Sequence, residues 1–242
     1  MRPVLFRLAV VLLVCAVACA GAAAQSFSLV YDFAGLAGNQ ASTPVRASSL
    51  IANLSASNLV RGPGLSAASG TGSFAASGFS TGGWNGDDWF GWSIGPTSGH
   101  SMTLTELVIP ERRSASGIRT FSLRSSLDNF ASDVFSATVP DDTLVRRHSV
   151  SLGTAFAGME TSVEFRLYGF QAESGSGTWR LGTSSTTSEN PDRILPELIV
   201  AGRLEANVVS APEPSAWALT LLGMGVLAVR LRAGCARRGR LV

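Results

Sequence analysis

The sequence predicts an all-β fold, an antiparallel β-sandwich or jelly roll, flanked by an N-terminal signal helix and a C-terminal transmembrane helix. Short segments alternate apolar and polar residues between clusters of Gly, Ser, Asn and Asp, which is typical of strands packed on one side. No segment between residues 25 and 209 keeps an apolar period of 3.6. An uncharged apolar run stands near each end of the 242-residue chain.

The first 24 residues predict a secretory signal peptide. Two arginines precede an apolar stretch, residues 8–20, and Ala22 and Ala24 form an A-x-A site. We therefore expect export through the Sec translocon and cleavage before Gln25. The alternative is a lipobox that ends at Cys19, to which the residues before that cysteine are a weaker match.

Residues 25–209 predict a single β-sandwich domain of ordinary size. The four clearest period-two alternations are Phe27–Phe33, Met102–Ile109, Ile118–Arg124 and Val163–Tyr168. Seven weaker candidates are Leu50–Val60, Ser73–Phe79, Asp88–Ile94, Val134–Val139, Val145–Leu152, Gly177–Leu181 and Leu198–Val208. Ten or eleven short strands separated by glycine-rich turns favour a sandwich.

Cysteine usage and charge exclude several classes of function. The three cysteines, Cys15, Cys19 and Cys235, all lie in the terminal segments, so the domain has no disulfide, cysteine nucleophile or cysteine metal site. Residues 25–211 carry 12 arginines against 16 acidic residues. This mildly acidic domain lacks the basic footprint of a nucleic-acid partner.

The C-terminal segment, residues 210–242, has three parts in a fixed order. Pro212, Glu213 and Pro214 interrupt regular structure. A run of 14 uncharged residues follows from Ala216 to Val229, and it predicts a marginal transmembrane helix over 216–231. Five arginines and no acid follow that run, which predicts a cytoplasmic basic tail. A short buried helix and an anchor that is never cut are the alternatives.

This order of motif, apolar run and arginine cluster resembles the PEP-CTERM sorting signal of exported proteins in certain Gram-negative bacteria. The resemblance implies an exosortase as partner, which would cleave near Pro214. It also implies passage through the inner membrane, held there by the C-terminal helix before processing. The destination would be the outer surface or the extracellular matrix.

Several segments between residues 27 and 181 are also similar to a group of uncharacterised PEP-CTERM ectodomains, for which jelly rolls like carbohydrate-binding modules are predicted. They include Phe121–Asp128, Val163–Gly169 and Gly177–Leu181. That group usually has an aspartate after its late Trp-Arg-Leu, where this chain has Gly182. A polar insert, Thr183 to Asp192, follows. Any ligand or ion role of that aspartate is therefore in doubt here.

We expect no catalytic residues and no metal site. Gly78–Gly82 matches G-x-S-x-G, but the next residues are unsuited to the helix that a nucleophile elbow requires. The two histidines, His100 and His148, lack neighbouring metal-ligand spacing. No cofactor is expected, with calcium at Asp87-Asp88 or Asp141-Asp142 as the alternative to ordinary turn chemistry.

The densest aromatic cluster predicts a ligand surface, because tryptophan faces stack on sugar rings and nearby polar groups bond hydroxyls. Its residues are Trp84, Asn85, Asp87, Asp88, Trp89 and Trp92. The alternative is that Trp89 or Trp92 fills the core. Phe90 is expected to face away from both, and Trp179 is expected in the core.

Together these features predict an exported, non-enzymatic protein with a structural or polysaccharide-binding ectodomain, in which exopolysaccharide is the candidate ligand. One alternative is a secreted carbohydrate lyase or hydrolase. Its mark would be a cleft that gathers two or more acids, or a histidine, from separate strands. The other alternative is a passive membrane-anchored spacer.

Overall fold

The computed structural model describes residues 24–183 and 189–207. The predicted signal peptide up to residue 23, with Ala22, therefore lies outside the described residues. So do residues 184–188 of the polar insert and the whole predicted sorting segment, with Pro212, Glu213, Pro214 and the 216–231 helix. Within the described ranges no helix has the length and apolarity needed to span a membrane.

The described residues form fourteen strands joined by turns and three short 3-10 helices. The strands are β1 Gln25–Asp32, β2 Ala37–Gly38, β3 Leu54–Ala56, β4 Val60–Arg61, β5 Ser66–Ala68, β6 Ser73–Ser77, β7 Trp89–Pro96, β8 His100–Arg113, β9 Thr120–Ser125, β10 Phe135–Thr138, β11 Arg146–Ser151, β12 Val163–Phe170, β13 Trp179–Gly182 and β14 Glu197–Ala206. The 3-10 helices are Ala47–Ser49, Ser126–Asp128 and Thr154–Phe156.

The strands form two mostly antiparallel sheets that pack as a β-sandwich. Sheet A has the order β1-β14-β8-β13-β6-β2, with β11 also paired to β8 and β5 to β6. Sheet B has the order β10-β9-β12-β7-β3, with β4 also paired to β7. Only β2 and β6 pair in parallel among these strands. The all-β sandwich expected from the sequence is confirmed.

All eleven predicted strand segments contain strand at the expected positions, and Leu50–Val60 holds β3 with β4 beginning at its last residue. Two strands were missed, β2 and β5. Both are two or three residues long and consist of Ala, Gly and Ser. Their sequences do not alternate apolar and polar residues. They are strands only because they pair with β6.

The inward residues of both sheets meet in one aromatic core. Trp179 is fully buried, as expected, with its ring centroid 5.3 Å from those of Phe90 and Phe121 and 5.8 Å from that of Phe79. Phe90 and Phe121 belong to sheet B, whereas Trp179 belongs to sheet A. Trp179 therefore contributes packing across the sandwich as well as buried area.

Two arginines carry charge into this packed interior. Arg113 is fully buried and pairs with Asp141 and Glu173, each at 2.8 Å. Arg61, on β4 of sheet B, donates instead to carbonyls that include Ala75 O of sheet A at 2.9 Å. Burial lowers the pKa of Arg61 to about 10. Arg61 thus joins the two sheets through hydrogen bonds to carbonyl oxygens.

Candidate ligand-binding surface

The candidate surface combines the loop before β7 with the outer side of sheet B. Side chains at alternate positions of β7, β9 and β12 point away from the core and meet there. We call this surface the aromatic face; its residues are Trp84, Trp89, Arg124, Phe130, Arg166 and Tyr168. Three of its strands lie side by side in the order β9-β12-β7.

Trp84 is the exposed residue of this face. Its side chain lies in the loop between β6 and β7, and 46% of the residue is accessible to solvent. The indole contacts the Tyr168 ring in a tilted arrangement, with 5.4 Å between centroids and 53° between planes, and the Arg124 guanidinium carbon lies 4.7 Å from the indole centroid. These contacts hold the ring in place while leaving much of it open.

Trp89 lies flat on the outer side of sheet B and depends on two glycines. A Cβ at position 91 would lie 2.6 Å from Cζ3 of the Trp89 ring, and one at position 62 would lie 2.8 Å from its Nε1. The Arg166 guanidinium carbon is 4.4 Å from the Trp89 centroid and 4.0 Å from that of Phe130. Trp89 is therefore half-buried.

The two arginines of the aromatic face are already partnered within the fold. Arg124 Nε donates to Asp133 at 2.7 Å, and Arg166 Nε donates to Glu164 at 2.6 Å. Arg124 also donates to the Phe130 carbonyl at 3.1 Å. Because their guanidinium groups are bonded within the fold, Arg124 and Arg166 position the aromatic rings. The group of this face that remains open to a ligand is the exposed ring of Trp84.

Asp88 anchors the loop that carries Trp84. The residue is buried, and its Oδ2 accepts a hydrogen bond from Ser80 N–H at 2.8 Å. Burial raises the pKa of this carboxyl against the effect of that bond. Asn85 and Asp87 remain exposed beside Trp84, with Asp87 N–H donating to Asn85 Oδ1 at 3.2 Å in an Asx turn.

Two residues expected at the ligand surface lie instead in the interior. Trp92 is 2% exposed and stacks on Phe165 at 5.6 Å between centroids, so it fills the core. Asp88 is buried as a loop anchor. Phe90 was expected to face away from Trp89 and Trp92, which is wrong for Trp92. Positions 90 and 92 are two apart on β7 and share the inward side.

The G-x-S-x-G match, Gly78–Gly82, is a turn. Ser80 Oγ accepts a hydrogen bond from Gly82 N–H at 3.2 Å, and the described residues that follow reach β7 with no intervening helix. The histidines lie elsewhere. His100 Nδ1 is 3.4 Å from Ser98 O, and His148 Nε2 is 3.6 Å from the buried Glu111 Oε1.

Both acids of the second pair considered for calcium, Asp141-Asp142, are engaged in other contacts. Asp141 pairs with Arg113 and Arg119, and Asp142 accepts hydrogen bonds from Leu144 N–H and from Arg146. Within residues 24–183 and 189–207, no three His, Cys, Asp or Glu side chains gather in an arrangement that would hold a metal ion.

Gly182 has a backbone conformation that disfavours a side chain at this position. Its φ is +120°, a conformation that favours glycine, and a Cβ there would lie 2.4 Å from Gly72 O. An aspartate would be strained in this backbone. A ligand role for a side chain at this position is therefore absent from this chain.

A groove of about 660 Å³ lies on the outer side of sheet A. Its floor is apolar and includes Val108, Pro110 and Ile199. Its charged lining residues are Arg146, Arg147, Asp192, Arg193 and Glu197, and His148 also borders it. This groove was not predicted from the sequence, because its lining residues come from segments 35 or more residues apart.

Four residues of the aromatic face were not predicted from the sequence: Arg124, Phe130, Arg166 and Tyr168. Arg124, Arg166 and Tyr168 occupy the polar side of two strongly alternating strands, which was the available signal. Their meeting depends on register: Arg166 lies opposite both Arg124 and Gly91, and Tyr168 lies opposite Trp89. A single sequence contains no direct record of that register.

No protein-family model matches this sequence, and a search of curated proteins gives no significant match. Among solved structures, the chain is similar to the K1 cleaved adhesin domain of Lys-gingipain from Porphyromonas gingivalis W83. The identity is 13%, the TM-score is 0.35, and the match covers 72% of this chain and 96% of that one. At this TM-score the likeness carries no argument about fold or function.

Proposed function

We propose that this chain is an exported, non-enzymatic protein of the cell surface or extracellular matrix whose β-sandwich binds polysaccharide. The observation that carries the binding role is Trp84, whose indole is held on Tyr168 and Arg124 but is 46% exposed. A large aromatic ring held open to solvent presents an apolar face at a fixed angle, which suits the C–H face of a sugar ring.

The surroundings of Trp84 support a saccharide ligand. Asn85 and Asp87 are exposed next to it and have the amide and carboxylate groups that bond hydroxyls. A separate hollow of about 190 Å³, which Trp84 does not line, lies on the same side of sheet B and is bordered by Ser57, Ser93 and Glu164. Polar groups around an exposed aromatic ring are the usual composition of a small-ligand site.

The test measures binding of the full-length chain, purified in a neutral detergent, to an array of neutral gluco-, manno- and xylo-oligosaccharides. We expect Trp84→Ala to lower affinity about three- to tenfold, while Trp84→Phe keeps most of the binding because a stacking face remains. Leu50→Ala is the matched control, since Leu50 has a similar exposure, 41%, away from the aromatic face. Unchanged binding by Trp84→Ala would sink the proposal.

The sorting part of the proposal rests on the sequence of the termini. We assign the tail, with Pro212-Glu213-Pro214, to an exosortase signal and the first 24 residues to a signal peptide. The intact mass of the protein from the native host should then match a chain from Gln25 to about Pro214. A mass that retains residues 215–242 would mean an uncut anchor and would remove the exosortase from the account.

Within the sandwich class we favour a jelly-roll-like arrangement. The first and last described strands, β1 and β14, pair with each other, and the chain changes sheets between β7, β8 and β9. Crossing between sheets in this way is common in jelly rolls and other Greek-key sandwiches.

The groove on sheet A favours one alternative, a carbohydrate-active enzyme, because it places His148 of β11 beside Asp192 and Glu197, which lie in and just after the turn that leads into β14. Glu197, however, is the ion-pair partner of Arg46 at 2.6 Å, so its carboxylate is occupied. We therefore expect no new reducing ends and no unsaturated uronate absorbance when the protein is incubated with polygalacturonate. Release of either product, abolished by Asp192→Asn, would establish the enzyme instead.

A further inference from the structure

One wall of the groove on sheet A is formed by the turn at residues 190–194. Residues 190–194 form a closed turn in which Asn190 Nδ2 donates to Ile194 O at 2.9 Å and Ile194 N–H donates to Asn190 Oδ1 at 2.8 Å. Arg193 N–H donates to Asn190 O at 3.1 Å. The side chain of one asparagine therefore fixes the shape of the wall.

The wall is also attached to the sheet beneath it. Glu189 forms an ion pair with Arg112 of β8, and Val145 N–H donates to Glu189 O at 2.8 Å. Within the turn, Arg193 has φ +50°, which is uncommon for a residue other than glycine. Strained conformations of this kind persist where the surrounding structure holds them, and they occur often at binding sites.

Two arginines of this groove, Arg147 and Arg193, differ from Arg146 beside them. Both residues are exposed, and neither guanidinium has a hydrogen bond or ion pair among the described residues. The other charged groups are occupied, since Arg146 pairs with Asp142 and Glu197 pairs with Arg46. The unpaired groups of the groove are therefore Arg147, Arg193 and Asp192, with one positive charge in excess.

We infer that this groove binds an acidic, carboxylate-bearing polysaccharide. Arg147 and Arg193 would bond successive carboxylates, and the apolar C–H faces of the uronate rings would pack on Val108, Pro110 and Ile199. Guanidinium groups are suited to two-pronged bonding of carboxylates. A volume of about 660 Å³ lies within the range of ordinary ligand sites.

The position of the groove favours a saccharide over an acidic peptide. An extended peptide gains most of its affinity by adding a strand to a free sheet edge. At the floor of the groove, Val108 of β8 is paired on both sides, with Ser149 of β11 and Ile199 of β14. The backbone N–H and C=O groups there are already used in strand pairing, so a ligand on the floor of the groove can contact side chains only.

This inference goes beyond the proposed function, because it concerns the opposite side of the sandwich and does not involve Trp84. The test is calorimetric titration of the full-length chain in neutral detergent with short oligogalacturonates at low salt. The methyl-esterified form of the same oligomers is the uncharged control ligand. We expect the double variant Arg147→Gln/Arg193→Gln to bind the acid form about tenfold more weakly.

Three further variants separate the explanations. Arg147→Lys/Arg193→Lys should keep most of the binding because the charge remains, and Trp84→Ala should leave it unchanged, whatever happens to neutral glycans. Arg203→Gln is the matched control, since Arg203 is another exposed and unpaired arginine of sheet A outside the groove. If Arg203→Gln lost as much affinity for oligogalacturonate as the double variant, the binding would come from general surface charge and the proposed site would be wrong. Equal binding of the esterified oligomers, or binding of polyaspartate but not oligogalacturonate, would also overturn it.

Discussion

The outer sides of the two sheets use arginine in opposite ways. On sheet B, Arg124 and Arg166 are each bonded to a carboxylate and covered by aromatic rings. On sheet A, Arg147 and Arg193 stand at a groove without a partner among the described residues. An arginine satisfied within the fold positions its neighbours, whereas an unpaired one keeps its donors for a ligand.

The same contrast separates the ligands that we propose. The aromatic face offers an indole whose neighbouring arginines are already paired with carboxylates, so it suits a neutral sugar ring. The groove offers donors with an apolar floor, so it suits a sugar that carries a carboxylate. The fold itself does not determine either ligand, because both sites are built from residues that the strand pattern leaves free.

The largest expected effect on stability comes from Arg113, the most completely paired arginine. Replacement by Met removes the guanidinium that bonds Asp141, Glu173 and the Ala115 carbonyl. Hydrogen bonds to charged groups contribute about 1.5–3 kcal/mol each. Because Asp141 and Glu173 are exposed and can be solvated once the arginine is gone, we expect a total loss of about 2–4 kcal/mol by urea unfolding. A loss below about 1 kcal/mol would show that pairing of this arginine does not stabilise the fold. Arg203→Met serves as the unpaired comparison.

A smaller effect is expected at Gly91, beneath the Trp89 ring. Gly91→Ala should destabilise the protein by about 1–3 kcal/mol, because the added Cβ would lie 2.6 Å from the ring. Trp89→Ala removes the obstacle, so the double variant should lose less than the sum of the single losses. Strictly additive losses in a double-mutant cycle would show that the ring does not need the glycine.

The pKa of Asp88 should be shifted upward and that of Asp142 downward from the ordinary value of an aspartate. Burial raises the pKa of Asp88, beneath the aromatic face, above its ordinary value of 3.8. For Asp142, burial acts to raise the pKa, but hydrogen bonds from Leu144 N–H and Arg146 outweigh it and hold the pKa below 3.8. Carbon-detected NMR titration should therefore give the higher midpoint for Asp88, and the reverse order would contradict both assignments.

These directions fix how each group affects stability with pH. The contribution of Asp88 is present below pH 3.8 and is lost as the pH rises through its native pKa, because the unfolded state has already released its proton. The contribution of Asp142 is present above pH 3.8 and is lost as the pH falls through its lower native pKa. Asp88→Asn and Asp142→Asn should each remove the corresponding part of the stability curve.

The smallest effect on stability is expected for the unpaired arginines themselves. Arg147→Gln and Arg193→Gln should each change the free energy of unfolding by less than about 0.5 kcal/mol, because no contact among the described residues is lost. A thermal melt of each variant checks this expectation. A clear loss would mean that these arginines support the fold and are not reserved for a ligand.

Much of the fold was predictable from sequence, because the clearest strands alternate with period two and half-buried sheets produce that pattern. Trp84 was also identified, since its cluster is dense in sequence. The burial of Trp92 was not predicted. Positions 90, 91 and 92 are all buried, so this part of β7 lacks the alternation of apolar and polar residues that would show which side faces the core. The groove could not be predicted, since it depends on the register of β11, β8 and β14.

The measurement that tests the account most directly is one glycan array probed with three proteins: the wild type, Trp84→Ala and Arg147→Gln/Arg193→Gln. We expect the wild type to bind both neutral and uronate-bearing glycans. Trp84→Ala should lose signal on the neutral glycans alone, and the double arginine variant should lose it on the acidic glycans alone. A wild type that binds no glycan, or variants that reproduce its full pattern, would contradict the claim that the two sides of this sandwich are ligand surfaces.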